Sequence, residues 1–183
     1  MSKLKIEVIK YSKKLNITNL SALRSGNISI RVKEKGVDGF YITPSGMKYS
    51  SLKTKEIVFK AIVHAHSSCA TAVSSHQKNI PAFHYMVAVA GGEDLKCSKY
   101  ATFGTKQLSK NIIKALKNRS ACLIANHGQV AFGDNLEKTF ELAQEIENIC
   151  HQYINALRIG IPKILSKKEM KIVLGKFKNY KKG

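Results

Sequence analysis

The stretch AIVHAHSSCATAV, residues 61–73, places two histidines one residue apart in an apolar run. Side chains at positions i and i+2 of a β-strand point to the same face. The sequence therefore predicts a strand that presents His64 and His66 side by side. Two imidazoles can bind a metal ion or form hydrogen bonds with their neighbours. A catalytic metal site usually has three protein ligands and one open position, so the metal interpretation needs a third donor from elsewhere in the chain.

His127 is the best candidate for that third donor. It ends an apolar segment, and Gly128 after it lets the backbone turn sharply. His84, His76 and His151 are weaker candidates, since His76 lies at a polar helix end and His151 within a long helical pattern. The spacing alone leaves two interpretations open: a metal site, or paired histidines that form hydrogen bonds with neighbouring groups.

Helical and strand patterns alternate along the chain. Apolar–polar alternation in NISIRV and FYIT, on either side of VKEKGVDG, predicts two strands joined by a tight turn. The segment ACLIANHGQVAFG is typical of a buried strand that stops at residues 126–128. Amphipathic spacing and terminal signals predict helices over residues 2–15, 68–77, 104–118, 135–160 and 166–180. This mixed order predicts an α/β or α+β class with one central sheet.

Length and composition indicate one soluble domain. A chain of 183 residues, 44% of them hydrophobic, can bury a sizeable core, and we expect residues 1–183 to form a single domain. The N-terminal segment lacks the apolar core of a secretory signal, and no apolar run is long enough to span a bilayer. We therefore expect a cytoplasmic protein with no membrane partner. Because no C-x-x-C pair occurs, we expect buried free thiols at Cys69, Cys97, Cys122 and Cys150, which suits a reducing compartment.

The net charge of +19 comes mainly from 27 lysines, against only four arginines. The lysines are scattered along the chain apart from the tail LGKFKNYKKG, a distribution that favours a solvated surface. The positive charge could bind nucleic acid, but the sequence contains no nucleic-acid-binding motif. We therefore expect no specific nucleic-acid partner. A third interpretation is that the positive field draws small anionic substrates towards the protein.

Six segments give the sequence a family resemblance. SGNISIR, ITPSGMKY, AIVHAHS, IPAFHYMVAVAGG, YATFGTKQLS and NHG occur in this order, over almost the whole chain. In this order they resemble the class II aldolase and adducin head family. The block IPAFHYMVAVAGG followed by CSKYATFGT is similar to the L-fuculose-phosphate aldolase branch of that family rather than to the ribulose-phosphate 4-epimerase branch.

The resemblance implies a fold, a metal and an assembly. The implied fold is a three-layer α/β/α domain whose central, mostly antiparallel sheet is flanked by helices. In the family, the H-x-H pair and the histidine of the HG motif bind one zinc ion, which implies His64, His66 and His127 as ligands of Zn²⁺. The family forms homotetramers with active sites between subunits, so the resemblance implies the same here.

A reaction and further site residues are implied as well. The substrate would be a phosphorylated sugar, a ketose 1-phosphate of the L-fuculose 1-phosphate type. Zinc would stabilise the enediolate as carbon–carbon cleavage gives dihydroxyacetone phosphate and an aldehyde. Tyr85 corresponds to the tyrosine that donates a proton in a neighbouring subunit's site. The phosphate-binding positions correspond to Gly26, Asn27, Ser45 and Gly46, and the aromatic positions that line the site correspond to Phe103 and Tyr180.

One family segment is missing. Where family members have a hairpin, a PSSE turn and a helix before the H-x-H strand, Lys60 is followed directly by Ala61. That turn carries phosphate-binding serines and the glutamate that acts as the catalytic base. Three interpretations follow: an aldolase impaired by this loss, an aldolase in which another carboxylate such as Glu56 replaces the base, or a non-catalytic metal-binding protein. General acid–base assistance is worth about 10²–10⁴-fold in rate, so its loss is costly.

Overall fold

A six-stranded sheet with helices on both faces forms the centre of the molecule. The computed structural model describes residues 3–21, 25–34, 37–43 and 61–180, with the side chains of 34, 37 and 178–180 left out. The helices are α1 (Lys3–Ile17), α2 (Ser68–Ser74), a 3₁₀ helix (Tyr85–Ala90), α3 (Lys106–Ala115), α4 (Leu136–Ile159) and α5 (Lys167–Tyr180). The strands are β1 (Asn27–Glu34), β2 (Val37–Ile42), β3 (Ala61–Ala65), β4 (Cys97–Ser98), β5 (Ala121–Ile124) and β6 (Gly128–Gly133).

The sheet is mixed but mostly antiparallel, as the sequence resemblance predicted. Its strand order is β2-β1-β3-β6-β5-β4. Every neighbouring pair is antiparallel except β4 and β5, which run parallel. This order puts β3, the strand of the H-x-H motif, beside β6, which begins at Gly128. The sheet itself therefore brings the two histidine-bearing segments together.

Alternation along the central strands sends side chains into two cores. Val63, Leu123 and Ala131 are fully buried on the face that α1 and α4 cover. Their neighbours in sequence face the other way, where Cys122 and Val130 pack with α3. Because successive strand residues point to opposite faces, one sheet can separate two helical layers. The predicted three-layer α/β/α architecture is confirmed.

One local prediction needs refinement. The segment ACLIANHGQVAFG is not one strand but two, since residues 125–127 form a tight turn between β5 and β6. Within that turn Asn126 has a positive φ of 53°, a conformation that asparagine tolerates better than most residues. The apolar segment that starts at Tyr85 forms a 3₁₀ helix, which Gly91 ends with φ 97°.

The cysteines are free, as predicted. Cys122 and Cys150 are buried, whereas Cys69 and Cys97 are only half-buried. Burial raises the pKa of the Cys97 thiol to about 11, so this thiol is protonated at neutral pH. Among the described residues, no helix combines the length and the apolar character that crossing a membrane would require.

Candidate metal centre

Three histidines from two parts of the chain meet at one end of the central strands. His64 lies in β3, His66 lies just after that strand, and His127 lies in the turn between β5 and β6. Their ring centroids are 4.8–4.9 Å apart in all three pairings. One nitrogen of each ring lies within 4.8 Å of the corresponding nitrogens of the other two. The arrangement is a group that can hold one metal ion.

Two glycines hold the H-x-H segment from either side. A Cβ atom on Gly128 would lie only 2.4 Å from the carbonyl oxygen of Ala65, and one on Gly26 would lie 2.6 Å from that of His64. Both glycines also have positive φ, 151° and 79°, which side chains disfavour. Only glycine fits these positions without moving the strand that carries the histidines. The close backbone approach therefore fixes the spacing of His64 and His66 relative to the turn that carries His127.

Hydrogen bonds hold the ring of His64 and the backbone of His66. The Nδ1–H of His64 donates to the carbonyl oxygen of Gln129 over 2.8 Å, which leaves its Nε2 as an acceptor or ligand. That Nε2 lies 3.0 Å from the Nε2 of His66. Meanwhile the backbone N–H of His66 donates to the hydroxyl of the buried Ser21 over 3.2 Å. Fixing the far nitrogen of a histidine in this way is typical of metal ligands.

The electrostatics favour neutral imidazoles. The pKa of His64 is lowered to about 3, chiefly by burial; the backbone hydrogen bond to Gln129 opposes this shift, and the neighbouring His66 and His127 add to it. Burial also lowers the pKa of His66, with a contribution from His127, and burial lowers that of His127 itself. All three rings are therefore unprotonated at neutral pH. A neutral imidazole has the lone pair that metal coordination requires.

The donor set and spacing suit a divalent transition metal. Two nitrogens bound tetrahedrally at the usual zinc distance are about 3.3 Å apart, close to the 3.0 Å between the Nε2 atoms of His64 and His66. Imidazole ligands suit zinc, copper, iron and nickel. Within the described part of the chain, no aspartate or glutamate joins the three histidines. The group thus offers three neutral nitrogen ligands and leaves further coordination positions open.

Two of the predicted phosphate-binding positions lie beside this centre. Asn27 is buried and pairs with His64 across β1 and β3, and Gly26 precedes it. The other predicted pair, Ser45 and Gly46, lies outside the described residues, as does Glu56.

The predicted aromatic positions are not part of the histidine group. Tyr85 is 50% exposed and its ring packs against His84 at 4.7 Å. Phe103, in the turn before α3, is 68% exposed. Tyr180 is the last residue of α5, and its side chain lies outside the described residues. Tyr85 and Phe103 are therefore exposed on the surface of the single chain.

The other histidines stay apart from the centre. His76 and His151 are exposed, and His151 contacts Asn155 on its own helix. His84 is half-buried beside Phe83 and Tyr85. None of these three belongs to the group that could hold a metal. The preference for His127 over them in the sequence agrees with this geometry.

Sequence reasoning missed two supporting residues, Gln129 and Ser21. Gln129 is fully buried, and its side-chain amide N–H groups donate to the hydroxyl of Ser67 and to the carbonyl oxygen of Ala143, while its backbone carbonyl accepts from His64. A glutamine within an apolar strand was the available signal for this role. Ser21 carried no signal, because its contact with His66 joins residues 45 positions apart.

Comparison with known proteins gives a consistent family. The model of the "Class II Aldolase and Adducin N-terminal domain" matches residues 6–59 and 58–154. An L-fuculose phosphate aldolase of Escherichia coli (strain K12) is 37% identical, with 98% of this chain and 96% of that protein covered. A 5-methylthioribulose-1-phosphate/5-deoxyribulose-1-phosphate aldolase of Rhodospirillum rubrum is 36% identical, with 94% and 90% covered. A solved L-fuculose 1-phosphate aldolase superimposes with a TM-score of 0.85 at 34% identity, covering 97% of each chain.

The matches are interrupted. The family model aligns in two parts that meet at residues 58 and 59. The alignment to the Escherichia coli protein runs over 210 positions, more than the 183 residues of this chain, so at least 27 positions (210 − 183) have no counterpart here. Both observations agree with a segment missing just before β3.

Proposed function

We propose that this chain, which belongs to the class II aldolase and adducin N-terminal domain family, is a zinc-dependent aldolase. Its substrate would be a ketose 1-phosphate, which it would cleave to dihydroxyacetone phosphate and an aldehyde. The observation that carries this proposal is the convergence of His64, His66 and His127, whose ring nitrogens lie within 4.8 Å of one another. Relatives that share more than a third of their residues with the chain carry the names of aldolases for such substrates.

The names of the relatives support a substrate class but diverge on the sugar. One is named for L-fuculose phosphate, and another for 5-methylthioribulose 1-phosphate and 5-deoxyribulose 1-phosphate. A phosphorylated sugar is common to these names. We therefore propose a ketose 1-phosphate of the L-fuculose 1-phosphate type as the first substrate to test, with the deoxyribulose phosphates as the second.

The roles proposed for the individual residues are those that the family resemblance implies. His64, His66 and His127 would hold Zn²⁺, and a bound divalent ion supplies Lewis-acid stabilisation of the negative charge that develops on the ketose. The backbone at Gly26 and the side chain of Asn27, beside His64, would bind the substrate phosphate, because short polar groups in tight turns suit an anion. The remaining proposed roles belong to Ser45 and Gly46 at the phosphate, Tyr85 as proton donor in a neighbouring subunit of a homotetramer, and Phe103 and Tyr180 as lining residues.

A second candidate function is a non-catalytic, metal-binding, oligomeric protein with this fold. It is favoured by the absence of any carboxylate from the histidine group within the described part of the chain. The interrupted family match at residues 58 and 59 agrees with loss of the segment that carries the family's catalytic glutamate. Without a general base the rate would fall by about 10²–10⁴-fold.

A coupled assay for dihydroxyacetone phosphate, with added Zn²⁺ and each of the two substrate types, separates the candidates. Turnover that the His64→Ala variant lacks supports the aldolase. If the wild-type protein turns over no faster than His64→Ala while still binding zinc, the non-catalytic candidate replaces it.

Metal analysis of the purified protein tests the premise that both candidates share. We expect close to one zinc per chain in the wild type and a large reduction in His127→Ala. Wild-type protein that holds no zinc after incubation with excess metal and desalting would overturn both candidates.

A further inference from the structure

Four lysines form a row along the exposed side of α3. Lys106, Lys110 and Lys114 are spaced by four residues within the helix, and Lys117 follows in the next turn. Positions three or four apart lie on the same helix face. At the rise of an α-helix the row is about 16 Å long. All four side chains are exposed. We call these four residues the α3 lysine row.

The row has no acidic counterpart. No aspartate or glutamate occurs between Asp94 and Asp134 in the sequence. Among the described residues the salt bridges join Arg31 to Asp38 and both Lys96 and Arg119 to Asp94, so none involves the row. Within the described part of the chain, therefore, no salt bridge compensates the charge of the row.

The row opposes the stability of its own helix. Lysines spaced by four residues repel one another. Lys106 also lies in the first turn, where the positive end of the helix dipole disfavours a cation and where α3 has no acidic residue. A bound polyanion would relieve both repulsions at once. Charge complementarity thus indicates an anionic partner with several closely spaced charges.

A membrane surface fits this face less well than a nucleic acid does. Helices that lie on membranes insert an apolar face. The apolar face of α3 is already occupied, because Leu108, Ile112 and Leu116 pack against the sheet. Ile113 is the one large apolar side chain of α3 that is largely exposed, at 59%. Double-stranded DNA carries one negative charge per about 1.7 Å of its axis, so a 16 Å row faces several phosphates.

From these observations we infer that the α3 lysine row is a sequence-independent binding surface for the phosphate backbone of double-stranded DNA. This role is separate from the metal centre and does not depend on the proposed aldolase activity. Lysine is suited to it as a point charge that neutralises phosphate, and the face needs no base-reading side chain.

The salt dependence of binding gives a quantitative expectation. Each neutralised phosphate contributes about 0.9 to the slope of log affinity against log salt. Four lysines therefore contribute a slope of about 3.6, which weakens binding about 150-fold between about 50 mM and about 200 mM salt. Lysines outside the row that also contact the duplex would steepen this slope.

The test uses fluorescence anisotropy of a labelled duplex of mixed sequence with the full-length protein. One variant replaces the row, with Lys106→Gln, Lys110→Gln, Lys114→Gln and Lys117→Gln. A matched control removes four exposed charges from α5 instead, with Lys167→Gln, Lys168→Gln, Lys171→Gln and Lys176→Gln. Both variants have the same net charge, so a difference between them reports location and not total charge. Circular dichroism and zinc binding check that both remain folded.

We expect the row variant to lose about 3.6 from the salt slope and at least about tenfold in affinity at about 50 mM salt, while the α5 variant changes the slope by less than about 1. Equal losses in the two variants would show that only net charge matters and would overturn the inference. So would the absence of duplex binding by the wild type at about 50 mM salt. A third overturning result is row-dependent binding to phosphatidylserine vesicles without row-dependent binding to the duplex.

Discussion

Replacing Gly128 by alanine tests whether close backbone contact positions the metal centre. Gly128 starts β6 directly after His127, and its φ of 151° is one that side chains rarely adopt. An added Cβ would lie 2.4 Å from the carbonyl oxygen of Ala65 and 3.2 Å from the Cα of His66. Since backbone atoms cannot rotate away as a side-chain end can, β3 and the turn must separate.

The expected magnitude has two parts. The unfavourable backbone conformation costs about 1–3 kcal/mol of unfolding free energy. Relieving the overlap with the β3 backbone adds about 1–3 kcal/mol, the usual range for overpacking. The same displacement moves His127 away from His66. Disturbing the groups that orient metal ligands typically weakens affinity about 10–100-fold, and we expect a loss of that size here.

Gly160 supplies a matched control for the backbone part. Its φ is 152°, almost identical to that of Gly128, but an added Cβ there would have no atom within 4 Å. Gly160→Ala should therefore show only the cost of the backbone conformation and no change in metal affinity. Denaturant unfolding of the metal-free proteins gives the two free energies, and competition with a chromophoric chelator gives the zinc affinities.

Comparison of the two variants decides the outcome. We expect Gly128→Ala to be less stable than Gly160→Ala by more than about 1 kcal/mol and to bind zinc at least about tenfold more weakly. If the two variants unfold with equal free energies and bind zinc equally well, the contact with β3 does not position the histidines.

Two further predictions concern charged groups. Burial holds the pKa of His64 at about 3 instead of 6.5, so the unfolded chain binds a proton between these values that the folded chain does not. In the metal-free protein, the contribution of His64 to the unfolding free energy is therefore complete above about pH 6.5. This contribution is lost as the pH drops towards 3, and the loss amounts to up to about 5 kcal/mol. Chemical unfolding at about pH 7 and about pH 4 should show a larger decrease in unfolding free energy for the wild type than for His64→Gln. Equal decreases in the two proteins would contradict the prediction that His64 causes the pH dependence. Separately, Asp94→Asn removes the carboxylate partner of Arg119, whose side chain is only 14% exposed, and we expect it to cost about 1–3 kcal/mol. Asp38→Asn breaks the more exposed pair with Arg31 and should cost about 0–1 kcal/mol. If thermal unfolding shows that Asp94→Asn and Asp38→Asn are destabilised equally, burial does not strengthen the pair of Asp94 with Arg119.

Local patterns predicted most of the secondary structure. The helix predicted over residues 135–160 forms as α4, and the side chain of Asn135 caps it by accepting from the backbone N–H of Lys138. Gly160 follows its last residue, at the end of the predicted range. Caps and amphipathic spacing act within a few residues, so the sequence contains them directly. The segment predicted as one buried strand that stops at residues 126–128 is a hairpin, because β6 follows the turn as a second strand. A three-residue turn leaves little trace in the composition.

The arrangement of the exposed lysines could not be predicted from their positions along the sequence. The lysines look scattered along the chain, yet the helical period of α3 aligns Lys106, Lys110 and Lys114 on one side. Which side faces solvent is decided by the packing of Leu108 and Ile112 against the sheet.

The metal centre was likewise predictable from the sequence only in part. The two-residue period of a strand was enough to predict that His64 and His66 would lie side by side, and the motifs were enough to suggest a family. The partnership with His127 required the pairing of β3 with β6, which joins residues more than 60 positions apart. The contacts from Ser21, Gly26 and Gln129 likewise exist only in the folded chain. Spacing along a strand or helix is a property of neighbouring residues, whereas distances between separate segments depend on how the whole sheet assembles.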